Sequence, residues 1–182
     1  YTGRPLLIST GMASLGEIED ALNAAAGTDV ALMQCTSIYP APPVTVNLRA
    51  METMRRAFGV PVGISDHTTG LAVPVAAAAL GASVIEKHFT LDSDLPGPDH
   101  SFALEPDELD DMVDDIREVG LALGNGLKQA EPDHPLYRLR RSIHFSRDID
   151  KGSRLRPEML IAQRPNTGIP PRDVAHALGR EI

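Results

Sequence analysis

The sequence predicts an α/β fold, built from repeated strand–helix units around a parallel sheet and followed by a small β-rich module. From Arg4 to about Gly124, short apolar runs alternate with segments whose apolar residues repeat at helical spacing. Beyond Gly124 the pattern changes to short strand-like pieces separated by turn residues. Four strand–helix units are half the number that closes an eight-stranded (β/α) barrel. Periodicity alone therefore leaves two arrangements open: half of such a barrel, or an open four-stranded doubly wound sheet.

The boundaries of these units follow from local signals. The predicted strands cover residues 5–9, 29–35, 60–65 and 82–89. The predicted helices cover residues 15–26, 46–58 and 72–80, and a fourth begins near Pro106. Ser14 and Glu17 have the spacing of a capping box, which is a specific start signal for the first helix.

Two of the helices carry recognisable packing faces. Residues 72–80 (AVPVAAAAL) are small, so this helix could approach a sheet closely. The fourth helix has an apolar stripe at helical spacing, which predicts its buried face. The stripe consists of Leu109, Met112, Val113, Ile116 and Leu123.

The domain organisation follows from the change in pattern. We expect a partial barrel domain over residues 1–124, a polar, proline-containing linker over 125–141 and a small β-rich domain over 142–182. The second module is expected to stop before it buries much of a core. The chain starts without an initiator methionine, a basic leader or a cleavage site, and we expect it to begin in the middle of a fold.

Composition excludes several classes of protein. Hydrophobic residues make up 42% of the 182 residues and charged residues 23%, which is typical of a soluble globular protein. The absence of any run of about 18 apolar residues argues against a membrane span. The formal net charge of −8, with acidic residues concentrated between Glu105 and Glu118, argues against a nucleic-acid partner. The single cysteine, Cys35, cannot form an internal disulfide, which fits a cytoplasmic protein.

The residues that carry chemistry follow the third and fourth strands, in Ser65-Asp66-His67 and Glu86-Lys87-His88. Side chains alternate along a strand, so Ser65 and His67 share one face, as do Glu86 and His88. Active sites of (β/α) barrels lie at the C-terminal ends of the strands. Two imidazoles from adjacent strands are therefore expected to converge on one metal ion, with positions left for water or substrate.

A single histidine at a strand end is more often a hydrogen-bonded structural residue than a ligand, but two at equivalent positions favour a site. Glu86 on the inward face would be costly to bury unless a cation or metal accompanies it. Lys87 is expected to face outward into solvent.

Residues on the first two strands are weaker candidates. Ser9 opens a Ser-Thr-Gly turn whose hydroxyl and amide groups could meet phosphate oxygens, although the same turn commonly joins a strand to a helix. Cys35, Ser37 and Tyr39 alternate toward a common side, which makes Ser37 and Tyr39 candidate ligand contacts and Cys35 a packing residue. Gln34 is expected to face the opposite way.

Six segments, in order along nearly the whole chain, resemble the N-acetylneuraminate (sialic acid) synthase family, which includes pseudaminic and legionaminic acid synthases. They are STGMAS (9–14), QCTSIYPAPP (34–43), VNLRAM (46–51), VGISDHTTG (62–70), ALGASVIEKHFTLD (79–92) and PGPDHSFALEPDEL (96–109). The resemblance implies the C-terminal half of a TIM barrel, followed by the start of an antifreeze-like SAF (β-clip) domain at SIHFSRDIDKGSRL and QRPNTGIPP.

The resemblance also implies a reaction. Phosphoenolpyruvate would condense with an open-chain N-acyl amino sugar and release phosphate, giving a nine-carbon 2-keto acid. His67 and His88 would hold a divalent ion, Mn²⁺ in the first place and Mg²⁺ or Co²⁺ as alternatives, that polarises the sugar carbonyl. Glu86 would complete the catalytic group.

By the same resemblance, Ser9, Ser37 and Ser65 match contacts to phosphoenolpyruvate, and Tyr39 and Asp99 match positions near the sugar. Arg164 matches an arginine that the SAF domain extends into the partner's active site, which implies a domain-swapped homodimer of the complete enzyme.

Departures from the family pattern leave the sugar open. Gln34 stands where many members have histidine or lysine, Ser37 where some have asparagine, and Asn166 where glycine is usual. PGPDH favours the sialic or legionaminic branch, whereas CTSIYPAPP and FALEPDEL favour the pseudaminic branch.

No segment matches the first four barrel strands, which in the family supply an acidic residue and the lysines that neutralise phosphoenolpyruvate. The 182-residue chain alone is therefore expected to be inactive, and poorly soluble or self-associating because its sheet edges are open. Two alternatives stay open: a non-catalytic binding or structural remnant, and another metal-dependent aldolase on the same barrel.

Overall fold

Parallel strands that pair in chain order organise the first part of the protein. The computed structural model describes residues 3–128 and 133–182, so the first two residues and part of the predicted linker lie outside the described residues. The chain divides into two compact units, Tyr1–Gly126 and Leu127–Ile182.

The first unit contains a four-stranded parallel sheet in the order β1-β2-β3-β4. Its strands are β1 (Leu6–Ser9), β2 (Val30–Cys35), β3 (Val62–Asp66) and β4 (Ile85–Lys87). A doubly wound sheet would reverse its strand order at a switch point, whereas the strands of a barrel follow one another around the axis. The sequential order and the curl of the sheet therefore confirm the half-barrel and exclude the open doubly wound alternative.

Four helices connect or follow these strands: α1 (Leu15–Ala24), α2 (Ala50–Phe58), α3 (Ala72–Ala79) and α4 (Pro106–Leu123). The capping box of α1 is present, since the Ser14 amide donates to the Glu17 carboxylate at 2.7 Å and the Glu17 amide donates to the Ser14 hydroxyl at 3.4 Å. Helix α2 begins later than predicted, after a 3₁₀ turn at Pro43–Thr45 and a left-handed Asn47 with φ of 50°. Within the described residues, none of the helices combines the length and apolar character needed to cross a membrane.

The core lies between the outer face of the sheet and the helices. Leu32 and Val62, on neighbouring strands, are fully buried and pack in one cluster with Met51 of α2. Gly63 shows how closely β3 and β4 approach, because a Cβ atom there would lie 2.2 Å from the carbonyl oxygen of Val84. Apolar residues on the outer face and one glycine therefore fix the spacing of the strands that carry the candidate site.

The predicted stripe of α4 is correct along most of its length and wrong at its end. Met112 is buried, and three other stripe residues are half-buried: Leu109, Val113 and Ile116. Leu123, in contrast, is 55% exposed. Leu123 is the last residue of the helix. Helical spacing identifies which face of a helix is apolar, but it does not show how far a neighbouring element extends along that face.

Lys87 corrects a second expectation. It does point away from Glu86 and His88, but its side chain is only 2% exposed and pairs with Asp66 at 2.6 Å. In a half-barrel, helices cover the outer face of the sheet, and α3 packs against both β3 and β4. An outward-facing residue at this position is therefore buried rather than solvated.

The second unit contains an antiparallel pair, β5 (Ser142–Phe145) and β6 (Leu160–Gln163). The predicted turn at Lys151 and Gly152 is present, with φ of 86° at the glycine. Buried Ser142 organises the segment after β6: its hydroxyl donates to the carbonyl of Pro165 at 2.8 Å and accepts the amide of Gly168 at 3.0 Å. This small β module thus has a buried polar anchor in addition to its strand pair.

Candidate active site

A cleft of about 440 Å³ lies at the C-terminal ends of the four strands. Its lining brings together seven of the nine residues that the sequence singled out as site residues, together with Cys35. The lining residues are Ser9, Cys35, Tyr39, Ser65, His67, Glu86, His88 and Asp99. The four strand ends thus supply one shared concave surface.

His67 has a defined orientation at the floor of the cleft. Its ring is buried, and Nδ1 lies 2.7 Å from the backbone carbonyl oxygen of Thr36. Because a carbonyl can only accept, Nδ1 must carry the proton and donate it, so the Nε2 atom of the neutral ring keeps its lone pair. Nε2 lies 3.4 Å from the Ser65 hydroxyl oxygen. A carbonyl bonded to the far ring nitrogen is the arrangement that typically orients a metal-binding histidine.

His88 lies beside His67, just beyond the end of β4. The two ring centroids are 5.2 Å apart and the ring planes are inclined by 80°. Nδ1 of His88 is 3.9 Å from a carboxylate oxygen of Asp99, and its ring packs against Phe102 at 5.0 Å. The two imidazoles converge, as expected from the matching positions of their strands.

Glu86 is held by a neighbouring strand. The Ser65 hydroxyl donates to its carboxylate at 2.7 Å, which follows from the register that pairs these two residues. Glu86 is exposed, so the expected cost of burying its charge does not arise in this open cleft. With Asp99 it makes the cleft acidic, and among the described lining residues none is lysine or arginine.

Tyr39 forms a wall of the cleft. Its ring stacks on His67 with centroids 4.1 Å apart and meets the edge of His88 at 5.8 Å. Loss of solvent on its packed side raises the pKa of the phenol, and the nearby carboxylates of Asp99 and Glu86 raise it further. The phenol is therefore neutral at physiological pH and can donate a hydrogen bond.

The donor atoms of the cleft fit a divalent ion. Two imidazoles beside a carboxylate form a set that suits Mn²⁺ and related ions. In residues 3–128 and 133–182 no group of three histidine, cysteine or acidic side chains is close enough to hold an ion by itself. An ion in this cleft would therefore occupy an open site, in which His67 and His88 would hold it and other positions would be left for water or substrate.

Two predicted site residues lie elsewhere. Ser37 does not line the cleft, and its hydroxyl oxygen lies 3.1 Å from where a Cβ atom on Gly11 would be. Arg164 belongs to the second unit, where it is exposed and follows β6. Gln34 faces away from the cleft as expected, because its side-chain amide donates to the carbonyl of Val46 at 2.9 Å.

Sequence reasoning missed two groups. Thr36 orients His67 through its backbone carbonyl, and any residue type offers that group, so no sequence signal could have identified it. Phe102 packs against His88, and the short apolar run that it forms with Ala103 and Leu104, all buried, is the sequence signal that could have identified it.

A comparison with protein-family models decides the family. The model described as NeuB family matches residues 1–128. The chain belongs to the NeuB family. A second model, described as SAF domain, matches residues 140–182, so the small β module is a SAF domain that follows the NeuB region.

Individual relatives of this NeuB chain agree with the assignment. It is 43% identical over 98% of its length to the N,N'-diacetyllegionaminic acid synthase of Legionella pneumophila, and covers 52% of that protein. It is 36% identical over 98% of its length to the pseudaminic acid synthase of Campylobacter jejuni, covering 53% of it. The chain spans about half the length of the curated relatives it matches.

A solved structure supports the fold of this NeuB chain. The crystal structure of the N-acetylneuraminic acid (sialic acid) synthetase from Leptospira borgpetersenii, in complex with citrate, aligns with a TM-score of 0.67 at 34% identity. The alignment covers 72% of this chain and 47% of that one. Most of this chain thus has the same fold as about half of that synthetase.

Proposed function

We propose that the cleft is the metal-binding and sugar-facing part of a nonulosonic acid synthase site. The observation that carries the proposal is the pair His67 and His88, 5.2 Å apart at adjacent strand ends, with Glu86 in the same cleft. The reaction would join carbon 3 of phosphoenolpyruvate to the aldehyde carbon of an open-chain N-acyl amino sugar. Water adds at carbon 2, phosphate leaves, and a nine-carbon 2-keto acid remains.

His67 and His88 would hold the divalent ion, Mn²⁺ in the first place, which when bound supplies a Lewis acid for the sugar carbonyl. The carbonyl of Thr36 keeps His67 in the tautomer that a ligand needs. The Ser65 hydroxyl directs the carboxylate of Glu86, which makes that carboxylate the group available to hold a proton beside the reacting atoms.

The remaining cleft residues would bind and orient substrates. Asp99 is exposed and can accept hydroxyl hydrogen bonds from a polyol, and the neutral phenol of Tyr39 can donate one. Ser9, and Ser65 when not bonded to Glu86, offer hydroxyls to the phosphate or carboxylate of phosphoenolpyruvate. Ser37 has the same role in the proposal only if its segment shifts toward the cleft when substrate binds.

The charges of the cleft residues support the proposal that they form only one part of the complete active site. Phosphoenolpyruvate is strongly anionic, whereas the described cleft residues include two carboxylates and no lysine or arginine. Binding such an anion needs preorganised cations that these residues do not provide. We therefore propose that the 182 residues alone do not turn over substrate. The cations would come from other parts of the full-length enzyme, including Arg164 of a partner in a domain-swapped homodimer.

The legionaminic branch is the proposed specificity, because identity is higher to the legionaminic acid synthase than to the pseudaminic acid synthase. The free, buried thiol of Cys35 fits the proposed cytoplasmic location. The test uses the complete polypeptide that contains these residues, assayed with phosphoenolpyruvate, Mn²⁺ and a panel of N-acylated hexosamines.

Release of phosphate coupled to formation of a 2-keto acid, with the highest kcat/KM for a diacetylated sugar, is the expected result. A complete polypeptide that binds Mn²⁺ but forms no keto acid from any sugar would favour the non-catalytic alternative. Aldol cleavage without phosphoenolpyruvate would favour another metal-dependent aldolase.

A further inference from the structure

A buried ion pair lies directly behind the cleft, on the outer face of the sheet. Asp66 and Lys87 are paired in the register of β3 and β4, and their side chains meet at 2.6 Å with 0% and 2% of their surface exposed. Each residue immediately precedes one of the two histidines in the chain. The pair therefore ties together the two backbone segments from which His67 and His88 emerge.

Thr68 extends this pair to the far side of His67. The ammonium group of Lys87 donates to the Thr68 carbonyl at 2.6 Å, and the carboxylate of Asp66 accepts both the Thr68 amide and the Thr68 hydroxyl, each at 3.0 Å. Both backbone polar groups of Thr68 are thus fixed by side chains that cannot move into solvent. His67 lies between Asp66 and Thr68, so this network, which we call the brace, holds the chain on both of its sides.

Stability alone does not account for the brace. Moving two charges out of water carries a desolvation cost that an apolar pair of similar volume would avoid while still joining the strands. What a charged, fully hydrogen-bonded network adds is a single geometry, since each donor and acceptor in it has a defined partner. The described residues leave no buried side-chain polar atom unsatisfied, so the network is complete.

We propose that Lys87 and Asp66 are positioning residues, which act through the brace to set the distance and angle between the imidazoles of His67 and His88. The proposal rests on the proposed metal role of those histidines. Neither residue of the pair reaches the cleft lining. Loss of the brace should therefore weaken the binding of a divalent ion without removing any ligand.

The test measures the binding of Mn²⁺ alone, by electron paramagnetic resonance, to this chain and to three variants. The double variant D66N/K87M removes both charges and keeps the volumes. M54A removes a buried core side chain on α2, which contributes no residue to the brace, and serves as the control for general destabilisation. H67A removes a proposed ligand.

The expected result is a rise in the Kd for Mn²⁺ of roughly 10–100-fold in D66N/K87M, the range known for changes in residues that orient metal ligands. M54A should keep the parent Kd, even where denaturant unfolding shows it to be as destabilised as the double variant. In the metal-free protein, imidazole nitrogen NMR should show a changed hydrogen bond at Nδ1 of His67 in D66N/K87M and not in M54A.

The outcomes separate the two proposals. Unchanged binding in H67A would overturn the proposed function. Lost binding in H67A together with parent-like binding in D66N/K87M, or with an equal loss in M54A, would overturn the positioning role and leave the function intact. If D66N/K87M does not fold, T68V takes its place, because it removes only the hydroxyl donor to Asp66; parent-like Mn²⁺ binding in T68V would then overturn the proposal.

Discussion

The imidazole rings of His67 and His88 lie almost perpendicular to each other with their centroids 5.2 Å apart. They reach this position from two adjacent parallel strands whose C-terminal ends lie at the same edge of the sheet. The carbonyl oxygen of Thr36 accepts a hydrogen bond from the ring of His67, and the aromatic ring of Phe102 packs against the ring of His88. A pair held in this way would be preorganised for the proposed ion, which would reduce the ordering that binding must impose.

H67A and H88A should each weaken binding of Mn²⁺ to this chain by at least about tenfold, since even residues that only orient ligands contribute that much. Isothermal titration with Mn²⁺ measures the change. H176A is the matched control, because His176 is exposed and lies in the second unit. If H67A and H88A bind Mn²⁺ as well as H176A does, the two rings are structural residues.

D99N in the complete polypeptide should raise the KM for the amino sugar by roughly 10–100-fold, because a hydrogen bond to a charged acceptor contributes about 1.5–3 kcal/mol. The KM for phosphoenolpyruvate should change little, and steady-state kinetics with each substrate varied in turn separates the two. D94N is the control, since Asp94 is exposed and does not line the cleft. Equal changes in both KM values would contradict a sugar-specific role.

G63A should destabilise this chain by about 1–3 kcal/mol, the usual cost of adding volume to a packed interior. The physical reason is that the added Cβ atom would lie 2.2 Å from the carbonyl oxygen of Val84, so the backbone would have to move to admit it. Denaturant unfolding measures the difference. G120A, in the last turn of α4 with open space around its Cβ position, should instead stabilise by up to about 0.5–1 kcal/mol.

Acid should loosen the loop that carries Asp99. The Ser93 amide donates to the Glu105 carboxylate at 2.8 Å, and this bond, the largest cause, lowers the pKa of Glu105 below 4.5. A group with a lowered folded-state pKa contributes stability above its unfolded pKa and loses it as pH falls through the folded value. Amide hydrogen exchange at Ser93 should therefore accelerate as pH falls below about 4.5, after correction for intrinsic exchange.

E105Q supplies the comparison for that experiment. Its amide oxygen can still accept the Ser93 hydrogen bond but does not titrate, so protection at Ser93 should be lower at neutral pH and independent of pH in the acid range. A parent chain whose protection at Ser93 stays constant through the acid range would contradict the assignment.

The exposed edge at β1 should promote self-association of this chain. Leu7 is 54% exposed on a strand that has only one hydrogen-bonded neighbour among the described residues. L7K should reduce concentration-dependent association measured by sedimentation velocity, because a charged edge disfavours strand pairing. L121K, on the surface of α4 where Leu121 is 85% exposed, should leave it nearly unchanged. Similar effects of both variants would indicate nonspecific hydrophobic association.

Much of the fold was predictable from local patterns. The capping box at Ser14 and the apolar runs placed α1 and the four strands to within a few residues, because these elements are set by contacts near in sequence. The late start of α2 was not predictable. The chain between Pro43 and Arg49 contains Asn47 in the left-handed conformation, and no glycine in this segment signals a turn there. The choice between a half-barrel and an open sheet needed strand order, which periodicity does not contain.

The sequence by itself determined that Ser65 and His67 share one face of their strand and that Glu86 and His88 share one face of theirs, because alternation along a strand is a local property. Ser37 lies beyond the end of β2, where alternation no longer holds, and it does not line the cleft. Only the tertiary structure decided how deeply each face is buried. Lys87 was expected in solvent and is instead buried against Asp66, while Glu86 was expected to need a partner for a buried charge and is exposed. Burial depends on which distant helix or loop covers a surface, and that is settled only when the whole chain has packed.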